Sequence, residues 1–191
     1  MRKILYLHGF CANSQSWKAQ IVKNAMDEKG FSDSFFCPDL HFQPKRAIAQ
    51  IFEIIEKNAD SDFGLIGSSL GGHYASVAAE KYQLPAVLVN PAVIAHIDLA
   101  LFLGEHENLY TAQKFEFTES DTADLENQIV KPNPKRYWLL QESGDEVLNP
   151  HHAQQWFAGA KSTILEGGDH SFTRFPDFVC EILAWIFKFP K

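Results

Sequence analysis

Gly67-Ser68-Ser69-Leu70-Gly71 spells G-x-S-x-G, two glycines bracketing one central hydroxyl, and the chemistry this spacing suits is nucleophilic attack on an acyl carbon. The five letters alone recur by chance in roughly one chain in fifteen of this size, so the rest of the machinery has to be found. A serine hydroxyl is a weak nucleophile until a base takes its proton. Ser69 therefore needs a histidine within hydrogen-bond reach and a carboxylate behind that histidine. Of the eight histidines, His170 stands in Glu166-Gly167-Gly168-Asp169-His170-Ser171-Phe172, where paired glycines let the chain swing a ring over a strand end. Asp145 stands in Gln141-Glu142-Ser143-Gly144-Asp145-Glu146, a turn that puts a carboxylate at another strand end. The order nucleophile, acid, base is the order such sites follow when acid and base come from loops after later strands. Ser69 is the expected nucleophile rather than Ser68, His170 the general base and Asp145 the acid. Glu142 and Glu146 read as solvated loop charges.

An acyl-transfer intermediate carries an oxyanion that preorganised N–H groups must meet. Leu70, the residue after the nucleophile and the first of a helix, offers one; Phe10, in the turn His8-Gly9-Phe10-Cys11 after the first strand, offers the other. Cys11, His73, Tyr110, Phe115 and Leu148 are expected pocket walls, from loop position and apolarity, with Cys11 as packing rather than a second nucleophile. His73, one turn beyond Ser69, should lie beside the serine without facing it. No Lys follows the glycines of the elbow, against a phosphate-binding loop. His151-His152 lacks the third ligand a catalytic zinc requires, so no metal is expected.

These residues need elements to hold them. Lys3 to His8, Phe63 to Gly67 and Ala86 to Val89 are short apolar runs that read as strands buried on both faces, and Ser34 to Pro38, Tyr137 to Leu140 and Thr163 to Leu165 add three more. Between them lie helical spacings: Trp17, Ile21, Val22 and Ala25 with Gly30 as a stop, Ile48, Ile51, Phe52 and Ile55 after Pro44, Leu70 to Tyr82, and Val179, Ile182, Leu183 and Ile186 after Pro176. Such alternation implies a mostly parallel sheet of about six strands with helices on both faces, its site beyond the C-terminal strand ends. Residues 92 to 130 break the rhythm. A departure this long is expected to be a short lid over the pocket.

The 191 residues suit one domain spanning 1–191. The net charge of -7, without any block of Lys or Arg, excludes a nucleic-acid surface. Three scattered cysteines argue for a reducing compartment, and MRKILYLHGF is too short an apolar run for a signal peptide, so a cytoplasmic location is expected. No stretch reaches the ~18 apolar residues of a membrane span.

LYLHGF, GLIGSSLGGHYAS, PAVLVNPA, ENLYTAQ, LLQESGDEVL and EGGDHSF together resemble, almost end to end, the YqiA-type esterases, small bacterial members of the α/β-hydrolase superfamily. The resemblance implies a minimal α/β-hydrolase fold and an esterase acting on small acyl esters, with acyl-CoA thioesters as a second substrate class. It also implies Ser69, Asp145 and His170 as the triad and no cofactor. His73 departs from it, standing where an aromatic residue is expected. A peptidase or amidase on the same triad, and a binding protein of hydrolase fold without turnover, are the alternatives.

Overall fold

Alternate residues of the first strand, β1 (Lys3–Leu7), face opposite layers: Ile4 and Tyr6 one way, Leu5 and Leu7 the other, none more than 1 % exposed. Burial on both faces explains why the strand reads as an unbroken apolar run. The computed structural model describes residues 2–190. From β1 the chain runs through α1 (Trp17–Glu28), the two-residue β2 (Phe35–Phe36), α2 (Pro44–Lys57), β3 (Phe63–Ser68), α3 (Leu70–Tyr82) and β4 (Ala86–Val89). After β4 come a hairpin of β5 (Gly104–Glu107) and β6 (Lys114–Phe117), then α4 (Glu119–Glu126). The sheet resumes with β7 (Tyr137–Glu142), α5 (Pro150–Trp156), β8 (Lys161–Leu165) and the closing α6 (Val179–Lys188).

Six strands form one sheet in the order β2-β1-β3-β4-β7-β8, and every pairing is parallel. On one face Ala19, Val22 and Met26 of α1 pack with Ile182, Leu183 and Ile186 of α6 against Ile4, Tyr6, Ile66 and Trp138. The other face carries α2, α3 and α5, with Ile51, Tyr74, Ala78 and Ala153 over Leu5, Leu65, Leu88 and Leu139. From β1 the chain steps to β2 on one side and returns to β3 on the other. The loops after β1 and β3 therefore diverge at neighbouring strand ends, which opens a crevice there.

The structure departs from the sequence reading in particulars. β2 is shorter than expected because Ser32–Ser34 turns as a 3-10 helix and Pro38 has no N–H for a ladder. β8 starts earlier, at Lys161, as an edge strand whose exposed Lys161 and Ser162 hide it from an apolar count. Residues 92–130 are more ordered than a loop. They hold two 3-10 turns, the β5-β6 hairpin and α4, whose N-terminus is a reciprocal capping box between Thr118 and Asp121. Asn108 and Leu109 of the hairpin turn donate to the carbonyls of Ala12 and Cys11, tying this insertion to the loop after β1. Among the described residues no helix is long and apolar enough to cross a membrane.

Candidate active site

Ser69 occupies the turn between β3 and α3 with φ 55° and ψ -124°, a left-handed backbone that a residue with a side chain adopts only at a cost of about 1–3 kcal/mol. The neighbouring glycines explain how the turn is possible. A Cβ on Gly67 would stand 2.3 Å from the Gly71 carbonyl oxygen, and one on Gly71 would stand 2.0 Å from that of Leu7. With no side chains there, α3 starts hard against β1. The loop after β1 also closes on the serine, where a Gly9 Cβ would lie 3.2 Å from the Ser69 Cβ.

His170 Nε2 lies 3.0 Å from Ser69 Oγ, and His170 Nδ1 lies 2.9 Å from Asp145 Oδ2. An ionised Asp145 can only accept, so the ring proton sits on Nδ1 and Nε2 is the free base facing the serine hydroxyl. Asp145 Oδ1 also accepts from the amides of Val147 at 2.9 Å and Leu148 at 2.8 Å, and its side chain is fully buried. The carboxylate is thus pinned from its own loop. Phe10 and Leu70 line the same cavity as Ser69, and neither backbone N–H donates to another described residue.

The histidine loop is held by residues whose roles the sequence hid. Glu142, read as a solvated charge, is in fact fully buried at the end of β7, because Gly168 lets the chain pass over it; a Cβ on Gly168 would lie 2.1 Å from Glu142 Oε2. Its carboxylate accepts from the Asp169 amide at 2.7 Å and pairs with Arg174 Nε at 2.5 Å. Glu146 accepts from the His170 amide at 2.9 Å, so it too holds the loop. Asn90, buried after β4, donates to the carbonyls of Asp169 and His170, and its Oδ1 accepts from Gln141 Nε2 and the Glu142 amide. Lys18 Nζ reaches the Ser171 carbonyl at 2.7 Å from the start of α1. None of these contacts follows from local spacing, since each joins segments remote in sequence.

His8 steadies the opposite wall. The Leu40 amide can only donate, so His8 Nε2 accepts it at 3.0 Å and the proton sits on Nδ1, which donates to the Gly9 carbonyl at 2.9 Å. Burial lowers the pKa of this imidazole and favours that neutral form.

A cavity of about 370 Å³ opens beside Ser69 and His170. Phe10, Leu70, Tyr110 and Leu148 line it. Three expected wall residues lie elsewhere. Cys11 and Phe115 border a separate cleft with Leu40 and Phe42, since the Phe115 ring stacks on Phe42 at 4.6 Å instead of turning inward. His73 is buried beside Ser76 and Val130 in a smaller cleft, because α3 is covered all along Gly71–Ala79 and carries the ring into the core. Ile94, Ile97, Leu99 and Phe102 of the insertion form the apolar roof instead. Among the described residues no three His, Cys, Asp or Glu side chains gather as metal ligands.

The family whose model matches residues 3–187 is described as Uncharacterised protein family (UPF0227). Solved structures similar to this one include alpha/beta hydrolase domain-containing protein 10 from mouse, at 18 % identity and TM-score 0.74, over 98 % of this chain and 90 % of that one. Paleococcus ferrophilus monoacylglycerol lipase is similar at 16 % identity and TM-score 0.72, over 98 % and 94 %. Est1E from Butyrivibrio proteoclasticus, solved with ferulic acid bound, is similar at 11 % identity and TM-score 0.71, over 99 % and 89 %. The fold is that of the α/β hydrolases, with a six-stranded parallel sheet.

Proposed function

The chain belongs to the UPF0227 family, the YqiA family its motifs resemble, and from that premise we propose that it is a serine esterase hydrolysing small acyl esters, with acyl-CoA thioesters as a second substrate class. The observation that carries this reading is the unbroken line of hydrogen bonds from Ser69 Oγ through the His170 ring to Asp145. The esterase and lipase names of similar structures support the same chemistry.

In the proposed reaction Ser69 Oγ attacks the acyl carbon while its proton passes to His170 Nε2, and the carbonyl π pair moves onto oxygen. The Phe10 and Leu70 amides meet that oxyanion; in comparable sites one such donor is worth about 3–4 kcal/mol. Collapse breaks the bond to the leaving oxygen or sulfur, which takes the proton from His170. Water then repeats the cycle, its proton going to His170 and finally to Ser69 Oγ, and the acid is released. Asp145 keeps the ring in the tautomer that can accept and stabilises the imidazolium that forms. The apolar insertion wall takes the acyl chain.

The direct test is labelling with a fluorophosphonate probe and peptide mapping. A single adduct on Ser69 is expected. An unlabelled Ser69 with another serine modified would contradict the assignment.

A further inference from the structure

The chain carries a net charge of -7, yet no Asp or Glu is among the described residues lining the cavity at Ser69. One wall instead presents a lysine. Lys18 lines the cavity at 8 % exposure, and its ammonium has one hydrogen bond, to the Ser171 carbonyl. No carboxylate among the described residues is close enough to form an ion pair with it, although Asp169, Glu142 and Asp145 act on it at longer range. An ammonium has three donors; with one on Ser171 and the Trp17 ring centre 5.4 Å from the nitrogen, donor capacity still remains for a ligand. The same wall carries the N-terminus of α1. Ser16 and Trp17 line the cavity there, no side chain caps the helix, and its first turn has no acidic residue. Ser16 Oγ is itself buried without a partner in good hydrogen-bond geometry, close enough to the Tyr6 hydroxyl to be felt by it. An uncapped helix N-terminus and a neighbouring cation thus border one end of a cavity whose insertion side is apolar, and both favour a negative group.

We propose that this end of the cavity binds a carboxylate carried by the leaving group of the ester, with Lys18 as its counter-ion. The inference rests on the esterase reading. The leaving-group side is part of the proposal: Lys18 is held at the His170 loop through the Ser171 carbonyl, and in the proposed reaction His170 protonates the departing oxygen. The substrate class is an acyl ester of a short hydroxycarboxylic acid. Its ester C–O bond breaks, the departing hydroxyl takes the proton from His170, and water completes the free acid. Burial holds the Lys18 pKa down to about 8 against the pull of Asp169, Glu142 and Asp145, so the preference for the anion falls as pH rises through that value.

The experiment compares kcat/KM of the whole protein for the butanoyl ester of glycolic acid and for its neutral counterpart, the butanoyl ester of glycolamide. Wild type is expected to favour the carboxylate about tenfold to a hundredfold, mainly through KM. Lys18→Gln keeps a donor for the Ser171 carbonyl and loses the charge, so its ratio falls to about one whatever happens to the absolute rates; Lys18→Arg keeps the preference. Equal rates on both esters in wild type, or a Lys18→Gln variant that slows both in proportion, would overturn the proposal and leave the esterase reading standing. An equal gain for ethyl hydrogen succinate over ethyl butanoate would overturn the leaving-group placement. Hydrolysis of none of these esters would overturn the esterase reading and this inference together.

Discussion

The Asp169 amide donates to Glu142 Oε2 at 2.7 Å, so the residue before His170 is anchored to a fully buried carboxylate at the end of β7. The other oxygen pairs with Arg174. Glu142→Gln removes the charge from both contacts while keeping the shape. A hydrogen bond to a charged group is worth about 1.5–3 kcal/mol, and stranding a partner costs more than the bond itself returns. The expected result is a drop of about 2 kcal/mol in stability, read by urea unfolding, with kcat falling as the His170 loop loosens. Asp145→Asn is expected to do the reverse, lowering kcat by about 10⁴-fold through the wrong tautomer while stability changes less. A Glu142→Gln protein as stable as wild type would show that the buried carboxylate is not an anchor.

Gly71→Ala tests the elbow sterically. Its Cβ would stand 2.0 Å from the Leu7 carbonyl oxygen and 2.6 Å from that of His8, both backbone atoms that cannot step aside. A destabilisation above about 4 kcal/mol is expected, measured as loss of soluble folded protein or a collapsed melting temperature. Gly30→Ala is the control for steric crowding: nothing lies within 4 Å of the added carbon there, so its cost is confined to the backbone strain, about 1–2 kcal/mol, that φ 74° imposes on alanine.

His73 predicts an acid limb of stability. Burial drives its pKa down to about 4 against the opposing pull of Gln128, which lies near Nε2 but not in good hydrogen-bond geometry, so the folded protein holds this ring neutral. Its unfolded pKa is the ordinary 6.5. Because the folded value is depressed, the unfolded chain binds the extra proton between those two values. Stability is whole above about 6.5 and falls as pH drops towards 4, by up to about 3 kcal/mol from this residue. His8, lowered in the same direction, adds to the slope. Melting curves at stepped pH should show wild type losing more than His73→Phe over that window. Parallel curves would place the acid sensitivity elsewhere.

Legibility in the sequence followed burial and locality. β1, β3 and β4 are covered on both faces, so their composition announces them, and the glycines around Ser69 announce a turn because their reason is local. Ser69, Asp145 and His170 were readable as three strand-end residues, and the structure brings them within hydrogen-bond reach. β8 was only half readable, as an edge strand with an exposed start. The hairpin in the insertion was missed because Gly104–Glu107 has no apolar side, and α4 because eight residues give too short a stripe. Glu142, Asn90 and Lys18 could not be read at all as site residues. A Glu in a loop-like string looks solvated until Gly168 and Arg174, distant in sequence, fold over it.

The measurement that bears most directly on the account is kcat for a butanoate ester in wild type and Ser69→Ala, with circular dichroism to match the folds. Ala accepts the same backbone turn only as poorly as Ser does, so the fold should be retained. Loss of the nucleophile is expected to lower kcat by about 10³- to 10⁶-fold with melting temperature little changed. A folded Ser69→Ala protein that hydrolyses the ester at the wild-type rate would contradict the assignment of Ser69 and the reaction built on it.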